Sequence, residues 1–159
     1  MGLDVLTSKG RANEVHNDRC MEIVKGYFDF LNLTLQKLPT AHTADGLFRC
    51  NQRPFILLEV KSRHNFTEHF FRTQYGEKWL VTDKKIRANI TMASRHNIPF
   101  LGAMNIVDSR VVLLKTIFDR EIAPGIDVRF TKTQATINGG EIFRDNAYIP
   151  MHDAIRIVY

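Results

Sequence analysis

The spacing of apolar positions divides the chain into helices and strands. Cys20, Ile23, Val24 and Tyr27 recur at i, i+3, i+4 and i+7, one apolar face of a helix expected over residues 11–28. Glu14, Asp18 and Glu22 occupy another face of it. Leu31, Leu33 and Leu35 then alternate with Asn32, Thr34 and Gln36, a half-exposed strand that ends at Pro39. Two more strands are expected over 46–50 and 55–62, separated by the polar, proline-containing turn Asn51-Gln52-Arg53-Pro54. Ile86, Ile90 and Ala93 return to helical spacing within 83–96, with Asp83 as the expected N-cap and Pro99 just beyond the end. Residues 100–107 and 111–118 are apolar, β-branched runs on either side of Asp108-Ser109-Arg110 and read as paired strands. Pro124-Gly125 and Asn138-Gly139-Gly140 mark turns, and 127–159 is expected as short strands closing on the sheet or on a partner. The resulting order, α-β-β-β-α-β-β, describes an α/β fold with a central sheet flanked by helices.

One strand ends in an unusual way. The run Phe55-Ile56-Leu57-Leu58 implies little solvent on either face, yet it delivers Glu59-Val60-Lys61, and unpaired charge in such a place is expensive. Alternation puts Glu59 and Lys61 on one face about 6.5 Å apart, with Val60 turned to the core. With a loop at 51–53, antiparallel pairing sets Cys50 against Pro54, Phe48 against Ile56 and Asp45 against Glu59, with side chains about 4.5–5.5 Å apart. Two carboxylates that close do not both ionise unless one keeps a proton or a cation lies between them. Oxygen ligands of this kind suit Mg2+, which keeps several waters and often uses only one or two protein carboxylates. A solvent-exposed ion pair between Glu59 and Lys61 is the plainer alternative.

Composition narrows the partners. A chain of 159 residues with no compositional break is expected to form a single domain. No run of about 18 apolar residues spans a membrane, and no apolar leader opens the sequence, so the expectation is a cytoplasmic protein, nucleoid-associated or virus-encoded. Cys20 and Cys50 lack Cys-x-x-Cys spacing and read as buried small hydrophobes. The net charge of +5 points to a polyanionic partner. Lys61, Arg63 and His64 follow the acidic pair, then Arg72, Lys78, Lys84, Lys85 and Arg87, interleaved with Phe66, Phe70, Phe71, Tyr75 and Trp79. Cations neutralise phosphates and aromatic rings stack on bases, which suits nucleic acid. The competing reading puts most of these rings in the core or at an interface. His64 and His69 flank the site, but the histidines show neither HxH nor HExxH spacing.

Asp45 followed on an adjacent strand by Glu59-Val60-Lys61, in this order of elements, resembles the PD-(D/E)xK nuclease superfamily, and within it the archaeal Holliday junction resolvases. Lys9-Gly10 ahead of Glu14, Gly26-Tyr27 at the end of the first helix, and Ile98-Pro99-Phe100-Leu101 after the second match steps of those enzymes. The resemblance covers residues 8–118. Ala44 stands where the motif's name has Pro, and only Thr40 and Thr43 stand in for a serine found upstream of the aspartate in such resolvases.

The resemblance implies a restriction-endonuclease-like core with a mixed central sheet; 119–159 lie beyond it as a C-terminal extension without a recognised motif, for which dimerisation is the candidate role. It implies that Asp45 and Glu59 bind Mg2+, with Mn2+ as a substitute, and that the Val60 carbonyl adds a ligand. Glu14 approaches from the helix, directly or through water, and Lys61 orients or activates the attacking water. Lys9, Arg11, Arg63, Arg72, Lys84 and Lys85 are the expected contacts to DNA. The implied activity is that of a Mg2+-dependent endodeoxyribonuclease, a Holliday junction resolvase acting as a homodimer on branched DNA. A restriction-type endonuclease of the same fold and a non-catalytic nucleic-acid-binding module are the alternatives.

Overall fold

In a computed structural model, which describes residues 7–159, the elements run α1 (Ser8–Tyr27), β1 (Thr34–Lys37), β2 (Gly46–Cys50), β3 (Arg53–Arg63), α2 (Glu68–Gln74), β4 (Lys78–Thr82), α3 (Asp83–His96), β5 (Phe100–Ile106), β6 (Val111–Asp119), β7 (Glu121–Ile122), β8 (Asp127–Thr136), β9 (Gly139–Pro150) and β10 (Ile155–Val158). The main sheet is mixed, in the order β1-β2-β3-β5-β6-β10 with β7 on the free end of β6. Only β3 and β5 are parallel. A second, antiparallel sheet has the order β4-β9-β8.

β3 is the spine of the molecule, because its two faces look into two different cores. Phe48, Ile56, Leu58, Val60, Leu101 and Ala103 pack against Cys20, Met21 and Val24 of α1. Leu57, Phe100, Met104 and Ile117 pack on the other side against Ile86 and Ala93 of α3 and Trp79, Val81 and Ile149 of the second sheet. The period of two along β3 therefore sends Leu58 and Val60 to α1, and sends Glu59 and Lys61 between the main sheet and α3.

Several elements differ from the expected pattern for local reasons. α1 starts at Ser8, because the Thr7 hydroxyl accepts from the Gly10 N–H at 3.0 Å and caps it. The strand expected from Leu31 begins only at Thr34, since residues 29–31 form a 3-10 turn and Asn32 takes a left-handed φ of 51°. Asp83 is not the cap of α3. It lies in the first turn, buried, and pairs with Arg87 at 2.6 Å. The basic and aromatic stretch after β3 folds into α2 and β4, with Phe66, Phe71 and Trp79 buried and Phe70 and Tyr75 exposed.

The largest difference is at the C-terminal end. In place of short strands, β8 and β9 are 10 and 12 residues long, β9 pairs with β4, and β10 completes the main sheet beside β6. Among the described residues no helix is long and apolar enough to cross a membrane.

Gly102 sits opposite Glu59 in the β3–β5 register, where the buried Trp79 ring lies over it. A Cβ there would overlap that ring and come within 2.7 Å of Ile117 Cδ1. Gly102→Ala is expected to destabilise the fold by about 1–3 kcal/mol through overpacking, read as a lowered urea midpoint with unchanged slope. An unshifted midpoint would mean that Trp79 is not held against this strand.

Candidate active site

The register between β2 and β3 decides where the two carboxylates meet. Gly46 pairs with Leu58, Leu47 with Leu57 and Phe48 with Ile56, which carries Asp45 to the position opposite Glu59. The turn itself is one residue shorter than expected: Asn51 and Gln52, with φ of 50° and 66°, form a two-residue left-handed hairpin loop. A bulge between Phe48 and Arg49 absorbs the difference on the turn side, so the pairing near the site keeps the expected register.

Asp45 is held by its backbone and its side chain together. Its N–H donates to the Leu58 carbonyl at 3.0 Å, and its carbonyl accepts from the Leu38 N–H at 2.9 Å. Its Oδ2 accepts from the Val60 N–H at 2.7 Å. The buried Asn89 of α3 ties down the preceding loop by donating to the Thr43 carbonyl at 3.3 Å. The N–H and C=O of one strand residue point to the same side, so the Val60 carbonyl faces the lane that β2 vacates beside Asp45.

Glu59 is 1% exposed. Its Oε1 pairs with Lys85 Nζ at 2.6 Å, while Oε2 has no hydrogen-bond partner among the described residues. Burial, reinforced by the Asp45 carboxylate, pushes the Glu59 carboxyl up to about 8 against the pull of Lys85 and Lys61. Burial also pulls on the Lys85 ammonium, but Glu59 and Asp45 more than offset it and hold its pKa above the ordinary lysine value. Lys61 has no such partner. Burial first, then Arg63, Lys85 and Arg144, lowers it to about 8, with Glu59 opposing.

The other expected site residues are spread more widely. Glu14 is engaged by Lys37 at 2.9 Å, together with Asp18 at 2.8 Å, and is not among the charges that shift Glu59. Arg63 follows Lys61 on the same face of β3, half-buried. Arg72 is exposed on α2 and neutralised by Glu68 at 3.1 Å and Glu77 at 3.3 Å. Lys9 and Arg11 are exposed in the first turns of α1, and Lys84 is exposed at the start of α3. His64 packs edge-on against His16, with ring centroids 4.6 Å apart.

Lys85 corrects the expectation of a surface contact to DNA: it is turned inward onto Glu59. Its place follows only from the docking of α3 on the main sheet, as that of Arg144 follows only from the pairing of β9 with β4.

No group of three or more His, Cys, Asp or Glu gathers among the described residues. Two carboxylates, one of them with an unpartnered buried oxygen, and a backbone carbonyl nevertheless fit a hard divalent ion that keeps most of its waters. A shallow cavity of about 250 Å³ lined by Ser94, Asn97, Ile98, Phe118, Asp119 and Arg120 lies at the far end of α3 and holds no buried charge.

The shifts on Glu59 and Lys61 bear on stability with opposite signs below and above about pH 8. A glutamate releases its proton at about 4.3 in an unfolded chain, whereas Glu59 keeps it to about 8 when folded. In that window the folded state binds the extra proton, so stability falls as pH rises. A lysine keeps its proton to about 10.4 when unfolded, whereas Lys61 loses it at about 8 when folded. There the unfolded state binds the extra proton, and stability climbs with pH. The melting temperature is expected to fall from about pH 5 to pH 8 and to recover above it, and Glu59→Gln is expected to remove the first limb. A falling limb that survives in Glu59→Gln would assign it to another group.

Neither protein-family models nor curated protein sequences match the chain.

Proposed function

We propose that the protein is a Mg2+-dependent endodeoxyribonuclease with a restriction-endonuclease-like core, which acts as a homodimer on branched DNA. The observation that carries this reading is the meeting of Asp45 and Glu59 around the Val60 peptide, with a free buried oxygen on Glu59 and Lys61 next along the same face. Asp45, Glu59 and the Val60 carbonyl would hold the ion. When bound, Mg2+ polarises a phosphoryl oxygen and lowers the pKa of its water.

The chain's own residues supply the rest. Lys61, poised at about 8 by burial and the neighbouring cations, orients the attacking water and takes its proton. In its charged form it stabilises the negative charge that builds on the phosphate oxygens. Lys85 holds Glu59 in place and keeps a positive charge beside the scissile phosphate. Two such sites in a symmetric dimer match the symmetry of a four-way junction.

A second reading also has an observation in its favour. The Lys85 ammonium partners the buried Glu59 carboxyl without any metal, as expected of a DNA-binding module without catalysis. Incubation of four-way, nicked and linear duplex DNA with the protein, with and without Mg2+ or Mn2+, separates the readings. The nuclease reading expects junction cleavage only with metal. Binding of all three DNAs with no cleavage of any would sink it in favour of the module, and cleavage of linear duplex at one sequence would favour a restriction-type enzyme.

A further inference from the structure

Residues 64–67 lead from the end of β3 into α2, and backbone donors tie this connection to the turn between β5 and β6. The Asn65 N–H donates to Asp108 Oδ1 at 3.1 Å, and the Glu68 N–H to Ser109 Oγ at 2.9 Å. Phe66 and Phe71 turn into the core, in the cluster that holds Leu57, Met104 and Ile106. Phe70 and Tyr75 stay outside it, 42% and 50% exposed. Their rings and that of Phe66 form a triangle, with centroids 5.4 Å apart for Phe66 and Phe70, 5.3 Å for Phe66 and Tyr75, and 5.7 Å for Phe70 and Tyr75. The planes are inclined by 55–88°, so no two of the three are stacked flat on each other. Tyr75 is also fixed through its backbone: its N–H donates to the Phe71 carbonyl at 3.2 Å, and its carbonyl accepts from the Lys78 N–H at 3.0 Å. Two exposed rings thus stand on a rigid base, supported by a buried third.

Arg63 connects this patch to the candidate active site. Glu59, Lys61 and Arg63 face one side of β3, in register with Gly102, Met104 and Ile106 of β5, so Arg63 stands about 13 Å beyond Glu59 along the strand. Phe66 is three residues further on, a reach of at most about 11 Å, and packs on that same side. Arg63 is half-buried and has neither a hydrogen bond nor an ion pair among the described residues. A guanidinium partly withdrawn from water without an acid beside it calls for an anion from outside. The carboxylates that follow in sequence are engaged elsewhere: Glu68 pairs with Arg72 at 3.1 Å and Arg156 at 2.8 Å, and Glu77 with Arg72 at 3.3 Å. An unpaired cation followed by two exposed rings matches the two halves of a nucleotide, its phosphate and its base.

We propose that Phe70 and Tyr75 are a stacking platform for an unpaired base of the DNA, with Arg63 holding a phosphate between that base and the scissile bond. This rests on the nuclease reading for the position of the scissile bond. A base inside a continuous duplex is paired and stacked on its neighbours, whereas a base already unpaired is taken up at little cost. The platform therefore favours branched DNA through its unpaired bases and reads no sequence.

The test compares wild type, the double variant Phe70→Leu/Tyr75→Leu and Arg63→Met. Binding is measured with a fluorescein-labelled linear duplex and a splayed-arm duplex with single-stranded ends, with Ca2+ in place of Mg2+, over a series of salt concentrations. The double variant is expected to weaken binding of the splayed-arm DNA about tenfold. Its affinity for the linear duplex and its salt slopes are expected to be those of wild type, since leucine removes rings and no charge. Arg63→Met is expected to reduce the log–log salt slope by about one on both DNAs. A fluorescent purine analogue in the single-stranded arm beside the branch is expected to be quenched by saturating wild type and to stay bright with the double variant. Equal affinity of wild type and double variant for the splayed-arm DNA overturns the proposal, as does an equal loss on the linear duplex or an unchanged slope in Arg63→Met. A double variant that sediments as a smaller species and binds DNA like wild type assigns the rings to an interface between copies, and also overturns it. If either variant fails to fold, Tyr75→Leu decides: wild-type affinity with full quenching overturns the proposal. Failure of the nuclease reading looks different, since wild type itself then binds no Mn2+ and cuts no DNA.

Discussion

Glu59→Gln is expected to lower metal-dependent cleavage by at least about 10³-fold while leaving the chain folded. Loss of a charged ligand removes several kcal/mol of transition-state stabilisation, and each 1.36 kcal/mol is about tenfold in rate. Glutamine keeps the volume of the side chain, and the carboxyl it replaces is one that burial already drives towards its neutral form. The main structural cost falls on Lys85, which loses its partner at 2.6 Å. Breaking a buried pair costs about 3–5 kcal/mol when the orphaned charge cannot escape. The Lys85 side chain retains 19% exposure, so it can turn to water and the cost is expected at the low end of that range. Single-turnover cleavage and thermal melting on the same preparation check both halves. Cleavage within threefold of wild type would remove Glu59 from the chemistry.

Lys61→Met separates activity from stability in the opposite direction. On the proposed reading, in which Lys61 takes a proton from the attacking water, its removal is expected to cost about 10²–10⁴ in kcat. Metal affinity and KM are expected to stay near wild type, because Asp45, Glu59 and the remaining cations are untouched. At neutral pH the variant is expected to melt higher than wild type. The half-buried Lys61 ammonium is opposed by the charges of Arg63, Lys85 and Arg144, and methionine keeps much of its apolar stem without the charge. A residue that costs stability where it stands but is needed for rate is the pattern expected of a functional site. A variant that is less stable and fully active would show that Lys61 is a structural residue.

The carboxylate pair was legible in the sequence because its geometry is set by a short hairpin. Phe48 opposite Ile56 anchors the register, and the error of one residue in the loop was absorbed by the bulge before it could reach Asp45. Alternation along β3 likewise placed Glu59 and Lys61 on one face. The partner of Glu59 was harder to see. Lys85 looks like one of several surface cations until α3 is docked against the main sheet, and then it is the residue in the first turn that reaches Glu59.

The stretch 66–82 admitted two readings, and the core reading holds for most of its rings: Phe66, Phe71 and Trp79 are buried, with Trp79 lying over Gly102, while Phe70 and Tyr75 are exposed. The contribution of Arg144 was not legible at all. It depends on a pairing between Thr82 and Asn146, 64 residues apart, and long-range antiparallel registers leave no local periodicity to read. Glu14 illustrates the converse, a residue placed by resemblance whose nearest charged partner is Lys37 on the sheet edge.

The most direct test of the account is a calorimetric titration of the protein with Mn2+ at neutral pH, with wild type beside Asp45→Asn and Glu59→Gln. Wild type is expected to bind the ion and to release protons as it does so, because burial holds a proton on Glu59 that the metal must displace. Both variants are expected to lose binding while keeping the fold. Equal Mn2+ affinity in all three proteins, or none in wild type, would contradict the assignment of Asp45 and Glu59 as the metal site.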